Sequence, residues 1–260
     1  MKVLILGGTT EASALARALA EREIPALFSY AGRVTAPKPQ PLPTRVGGFG
    51  GVDGLAAFLA AERITHLVDA THPFAERMSR HAVAAAERLG IALLALTRPP
   101  WAPQHGDGGK PGDCGQQGDR WQRVDSIGAA VSALSGPPQR VLLAIGRMHL
   151  AAFAARPEHH YVLRLVDLPV DPPPLPRHTL TVDRGPFTLE GDLALLREHG
   201  VERLVCKNAG GAGAAAKLEA ARALGLPVVM IDRPALPPRL ETHAIDDVLE
   251  WLGHMTDRGV

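Results

Sequence analysis

The chain has 260 residues, enough for two compact domains or one large one with a sizeable buried core. Its 28 Lys and Arg stand against 27 Asp and Glu, a net charge of +1, so no overall field would hold DNA or an anionic membrane surface, and any anionic ligand must be met by local clusters of Arg. Two cysteines, Cys114 and Cys206, lie far apart in unlike contexts and read as reduced thiols rather than a disulfide.

In chain order, MKVLILGG offers five apolar residues before a glycine pair, too few for a secretory core or for the roughly 20 that a membrane helix needs. A cytoplasmic protein without membrane or nucleic-acid partners is expected. Val3 to Leu6 form a short apolar run that stops at Gly7-Gly8, and Ala12, Leu15, Ala16 and Leu19 then recur at helical spacing, which predicts strand, tight turn and helix. The alternation continues through strand Ala26 to Tyr30, helix Leu55 to Ala61, strand His66 to Ala70, helix Glu76 to Leu89 and strand Ile91 to Leu96. Residues Ala102 to Arg120 hold almost nothing apolar and are expected to be a surface loop.

A second series starts near Arg140. It runs through strand Val141 to Ile145, helix His149 to Ala155, strand Tyr161 to Val166, a Pro-rich crossover, helix Leu189 to His199 and strand Arg203 to Lys207. Helix Ala214 to Leu224, strand Val228 to Ile231 and helix Ile245 to Leu252 follow. Alternation of this kind implies an α/β fold with parallel sheets covered on both faces. Two Rossmann-like domains are expected, 1–130 and 131–260, with a ligand cleft between them and a last helix able to pack back on the first.

Gly7-Gly8-Thr9-Thr10-Glu11 sits where a first strand turns into a first helix, whose N-terminus offers free backbone N–H groups to a phosphate. It is not a full G-x-G-x-x-G fingerprint. The second strand ends in Ser29-Tyr30-Ala31-Gly32-Arg33, where dinucleotide folds choose between the two nicotinamide cofactors. Ser29 and Arg33 can donate to a 2′-phosphate and no acidic residue stands there, which favours NADPH. Gly47-Gly48-Phe49-Gly50-Gly51 would let backbone lie flat against a ligand. Asp69-Ala70-Thr71-His72-Pro73 follows a strand and places Thr71 and His72 at the sheet's carboxyl edge.

Arg98 and Trp101, Gly146-Arg147, and Lys207-Asn208-Ala209-Gly210-Gly211 also follow predicted strands. Arg98, Arg147 and Lys207 would suit a ligand bearing several carboxylates. His72 and His81 have no third ligand at a recognised spacing, so no metal site is expected. No Tyr-x-x-x-Lys pair, G-x-S-x-G elbow or Walker loop occurs, which removes the usual support for short-chain dehydrogenase, hydrolase and kinase chemistry.

Taken together, GGTTEA, GGFGG, DATHPFA, the Arg98 to Trp101 stretch, Gly146-Arg147, KNAGG and AKLEAARALGLPVVMIDRP resemble the precorrin-6A reductase family in order and spacing, over nearly the whole chain. The 102–120 loop departs from the family pattern in being longer than expected, and Ala209 stands where a hydroxyl residue is expected. The resemblance implies NADPH-dependent reduction of one double bond of precorrin-6A, or of its cobalt-containing counterpart, by a monomer or small homo-oligomer. It further implies that Gly8, Thr9, Thr10 and Glu11 hold the pyrophosphate and ribose region, and that Ser29, Ala31, Gly32 and Arg33 take the 2′-phosphate. Gly48, Phe49, Gly50, Thr71 and His72 would flank the nicotinamide. Arg98, Trp101, Arg147, Lys207, Asn208 and Gly210 would meet the tetrapyrrole, with Lys207 the candidate for activation or proton delivery. Another tetrapyrrole reductase on this scaffold, or a non-catalytic NADPH-binding regulatory module, are the competing expectations.

Overall fold

The computed structural model describes residues 1–32, 38–105, 118–169, 171–183, 185 and 187–256. The chain forms two compact units, Met1–Pro99 with Ala235–Val260, and Pro100–Pro234. Each holds one six-stranded sheet, parallel at every pairing.

The first unit begins with β1 (Val3–Leu6), α1 (Thr10–Glu21), β2 (Ala26–Tyr30), β3 (Thr44–Val46), α2 (Val52–Ala61), β4 (His66–Asp69), α3 (Glu76–Leu89) and β5 (Ala92–Leu96). The second contains β6 (Trp121–Val124), α4 (Ile127–Ser132), β7 (Arg140–Ala144), a 3-10 helix (Arg147–Ala155), β8 (His160–Leu165) and β9 (His178–Val182). It continues with α5 (Leu189–Glu198), β10 (Arg203–Lys207), a short 3-10 turn (Ala212–Ala214), α6 (Ala216–Ala223) and β11 (Val228–Ile231). The chain then re-enters the first unit with β12 (Leu240–Thr242) and α7 (Ile245–Thr256). No described helix is long and apolar enough to cross a membrane.

Physical pattern accounts for the first unit directly. Successive residues of a strand face opposite sides of the sheet. Val3 and Ile5 of β1 therefore pack with Leu15 and Leu19 of α1 and Val248 and Leu252 of α7, while Leu4 and Leu6 pack with Leu55 and Leu59 of α2 and Ala82 and Ala85 of α3. Burial on both faces is why β1 reads as an unbroken apolar run, and β4 is likewise buried at all four positions, His66 and Asp69 included. Thr9 caps α1 by accepting from the Ala12 N–H at 3.1 Å, and α3 stops at Gly90, whose φ of 66° needs no Cβ.

The first sheet runs β12-β5-β4-β1-β2-β3 and the second β6-β11-β10-β7-β8-β9. The second sheet is built from the consecutive strands β6 to β11, with β6 at the edge beside β11, whereas the first takes its edge strand β12 from beyond the whole second unit. This corrects the expected boundary after residue 130. Trp121 to Val124 pair with Val228 to Ile231, so the divide falls at Pro99, and the first unit is completed from Ala235 onward.

Three further differences have local causes. The helix expected from His149 is a 3-10 helix whose buried residues, Leu150 and Phe153, stand three apart, the repeat of that tighter helix. The helix expected from Ala214 to Leu224 breaks at Ala215 into a 3-10 turn and α6. Strands β6, β9 and β12 carry no fully buried run, so hydrophobic pattern could not reveal these sheet-edge segments.

Candidate active site

In the first sheet the chain proceeds from β1 to β2 and β3 on one side, then to β4 and β5 on the other. Open α/β sheets bind ligands at the carboxyl edge beside such a reversal. The loops after β1, β2, β3, β4 and β5 all end there, and they carry Gly8, Thr10, Glu11, Ala31, Gly32, Gly48, Phe49, Gly50, Thr71, His72 and Arg98. Arg33 lies outside the described residues.

At the first loop, a Cβ on Gly7 would stand 2.1 Å from Phe28 Cζ, and Gly8 has a φ of 121°. The turn is therefore closed to side chains at its first glycine and strained for them at its second. Thr9, expected to touch a cofactor, has its hydroxyl committed: Oγ1 accepts from Ala12 N and donates to the Ala70 carbonyl at 2.9 Å. It joins the β1 loop to the β4 loop as a structural cap. Arg98, expected to face substrate, instead pairs with Glu11 at 2.6 Å and donates to Thr10 Oγ1 at 3.1 Å. Burial by itself pushes the Glu11 carboxyl up; hydrogen bonds from Arg98, its own backbone N–H and Thr10, with the Arg98 charge, outweigh that and hold it below the usual carboxylate value.

The corner between β2 and β3 contains a residue that sequence reasoning missed. Arg45 lies opposite Ser29 in the strand register and donates from Nη1 to Ser29 Oγ at 2.8 Å and the Gly47 carbonyl at 2.9 Å. Its Nη2 donates to the Gly48 carbonyl at 3.2 Å, and the guanidinium carbon lies 3.9 Å from the centre of the Phe49 ring. Phe49 thus packs under Arg45 and edge-on to Phe58 of α2. Gly54 was missed too. A Cβ there would come within 1.7 Å of the Phe49 carbonyl oxygen, so the glycine-rich loop folds directly over the first turn of α2.

After β4, Asp69 is 2% exposed. Its Oδ1 accepts from the Thr71 hydroxyl at 2.7 Å and the Thr71 N–H at 3.1 Å, and its Oδ2 is ion-paired with Arg239, whose side chain is 8% exposed. Arg239 just precedes β12, so the chain's return clamps the loop that presents Thr71. His72 is exposed, and its Nδ1 accepts from the Phe74 N–H at 3.2 Å, which leaves the neutral ring's proton on Nε2.

In the second unit the equivalent reversal lies between β7 and β10. Arg147 is exposed at the start of its 3-10 helix and Lys207 is part-buried at the end of β10. Asn208 and Trp101, expected at the substrate, hold each other. The Asn208 side chain accepts from Trp101 N at 2.8 Å and donates to Trp101 O at 2.9 Å, while the indole N–H donates to the Gly211 carbonyl at 2.9 Å. Lys217, unremarked in the sequence, is 5% exposed and lies 4.6 Å from the Trp101 ring centre. Burial pushes its ammonium down. Gly210, with a φ of 71°, turns the loop between these anchors. Cys206 is a free, fully buried thiol pushed up to about 11 by burial, against a smaller opposing pull from Lys217; Cys114 lies outside the described residues.

Comparison with known proteins agrees with this architecture. A family model described as precorrin-6x reductase CbiJ/CobK matches residues 2–253. The precorrin-6A reductase of Rhodobacter capsulatus is 53% identical over 261 residues, covering 100% of this chain and 99% of its own length. The cobalt-precorrin-6A reductase of Priestia megaterium is 26% identical over 266 residues, covering 98% of this chain and 99% of its own. A solved structure of CobK precorrin-6A reductase matches with a TM-score of 0.89 at 53% identity, covering 98% of this chain and 96% of that one. Sequence likeness along the full length and the shared fold place this chain in the precorrin-6x reductase CbiJ/CobK family.

Proposed function

We propose that the chain reduces a macrocycle double bond of precorrin-6A to give precorrin-6B in cobalamin biosynthesis, with NADPH as the hydride donor. The observation that carries this reading is 53% identity to a precorrin-6A reductase across the full chain. The metal-free substrate is favoured over the cobalt form because identity to the cobalt-precorrin-6A reductase is only 26% over a comparable span. A cytoplasmic setting fits the free Cys206 thiol.

The residues at the first sheet's carboxyl edge fit a dinucleotide. Gly8 and Gly48 leave nothing within 4 Å of where a Cβ would stand, so a ligand could approach their backbone closely. In this reading Gly8, the Thr10 hydroxyl and the Glu11 region at the start of α1 bind the pyrophosphate and ribose. Ser29, Ala31, Gly32 and Arg33 hold the 2′-phosphate. Gly48, Phe49, Gly50, Thr71 and His72 flank the nicotinamide, with Asp69 fixing the Thr71 hydroxyl. Arg147 and Lys207 meet substrate carboxylates, and Lys207 assists activation or proton delivery. Thr9, Trp101 and Asn208 hold loops rather than ligands. Bound NADPH supplies a hydride, which leaves orientation, charge and a proton to the protein.

An anaerobic assay with NADPH and precorrin-6A tests the proposal. Coupled decay of NADPH absorbance and change of the macrocycle spectrum are expected, and cofactor binding without either change would reject the substrate. Gly48→Ala tests the loop. Nothing lies within 4 Å of the added methyl, so the melting temperature should stay within about 2 °C of the parent, while KM for NADPH rises about 10-fold as the methyl excludes the ligand. An unchanged KM would remove Gly48 from the cofactor site.

A further inference from the structure

We propose that Arg45 is the fixed cation that, with Ser29, receives the 2′-phosphate of the cofactor and so sets the preference for NADPH over NADH. This rests on the NADPH reading above and adds a residue to it.

Arg45 has a particular set of contacts. Among the described residues its three hydrogen bonds go to a hydroxyl and two backbone carbonyls, all neutral acceptors. Its remaining partners are the faces of Phe49 and Phe58, 3.9 and 5.0 Å from the guanidinium carbon. It makes no ion pair with a carboxylate among the described residues, whereas Arg98 and Arg239 at the same sheet edge both do. A part-buried cation without a counter-charge is costly, and burial pushes the Arg45 guanidinium down. An arriving dianion relieves that cost.

Geometry adds direction. Three of the five guanidinium N–H groups are engaged, which leaves Nε–H and one Nη2–H as donors. Because Arg45 donates to Ser29 Oγ, the Ser29 hydroxyl proton can turn toward a second acceptor. The two residues stand opposite each other in register, each one residue before the end of its strand, near the carboxyl end of β2 where dinucleotide folds read the adenosine ribose. The contacts to Gly47, Gly48 and Phe49 hold the guanidinium in place before the ligand arrives, which limits the ordering cost of binding.

The experiment compares the parent with Arg45→Gln and Arg45→Lys, using steady-state kinetics with NADPH and NADH and direct titration with NADP⁺, NAD⁺, 2′-AMP and 5′-AMP. Arg45→Gln should raise KM for NADPH about 30-fold and change KM for NADH less than about 3-fold, with kcat nearly constant. Arg45→Lys, which keeps the charge and loses the fork, should fall between. The parent should bind 2′-AMP more tightly than 5′-AMP, and Arg45→Gln should abolish that difference. An equal rise for both cofactors would make Arg45 a scaffold for the glycine loop only and overturn the assignment. Should Arg45→Gln fail to fold, Arg45→Lys decides alone: an unchanged NADPH to NADH ratio with unchanged 2′-AMP affinity counts against the proposal. A parent that binds NADP⁺ and NAD⁺ equally would instead overturn the NADPH reading itself.

Discussion

Asp69→Ala is expected to lower the unfolding free energy by about 3–5 kcal/mol, the usual result of removing one partner of a buried ion pair. The carboxylate is 1% exposed at its side chain and Arg239 8%, so the deletion strands a guanidinium whose other carboxylate, Glu241, is 44% exposed. It also releases both the hydroxyl and the N–H of Thr71. Urea unfolding of the two proteins measures the loss, and kinetics should show KM for NADPH rising with it. The double variant Asp69→Leu with Arg239→Met removes both charges at similar volume and should recover most of the stability but not the cofactor affinity, since Thr71 stays unfastened. A single variant within about 1 kcal/mol of the parent would show that the pair contributes little.

Gly7→Ala should be strongly damaging for a single added methyl. The added Cβ would lie 2.1, 2.3 and 2.9 Å from three atoms of the Phe28 ring, and that ring is fully buried and tilted against Tyr30 at 4.7 Å between centres. With nowhere for the ring to move, the β1 turn must shift instead. Overpacking of this kind costs about 1–3 kcal/mol or more, and a displacement near 1 Å in a positioning loop can cost about 100-fold in kcat/KM. Paired thermal unfolding and steady-state kinetics check both numbers. Gly7→Ala combined with Phe28→Leu makes room for the methyl and should recover part of each; no recovery would place the damage elsewhere.

How much was legible beforehand follows from where information resides. The strands β1, β4, β10 and β11 and the helices α1 and α3 announce themselves because their burial is set by local pattern: a continuous apolar run in β1 and β11, an apolar centre in β4 and β10, and Ala12, Leu15, Ala16 and Leu19 for a helix with one buried stripe. The glycine clusters were readable for a related reason, since φ values such as 121° at Gly8 and 82° at Gly50 strain other residues. Arg45 was not readable. A lone Arg in TRV looks solvated until the pairing of β3 with β2 sets it opposite Ser29. Likewise Arg239 stands 170 residues from Asp69, and nothing local links them.

By itself, then, the sequence determined the α/β class, the parallel sheets, the carboxyl-edge loops and the family, all of which depend on the order and periodicity of neighbouring residues. Only the tertiary structure decided which strands complete each sheet, that Thr9 caps while Thr71 is presented, that Arg98 meets Glu11, and that Asn208 clasps Trp101. Those outcomes are contacts between residues distant in the chain, and hydrogen-bonding side chains take whichever partner the packed backbone brings within about 3 Å.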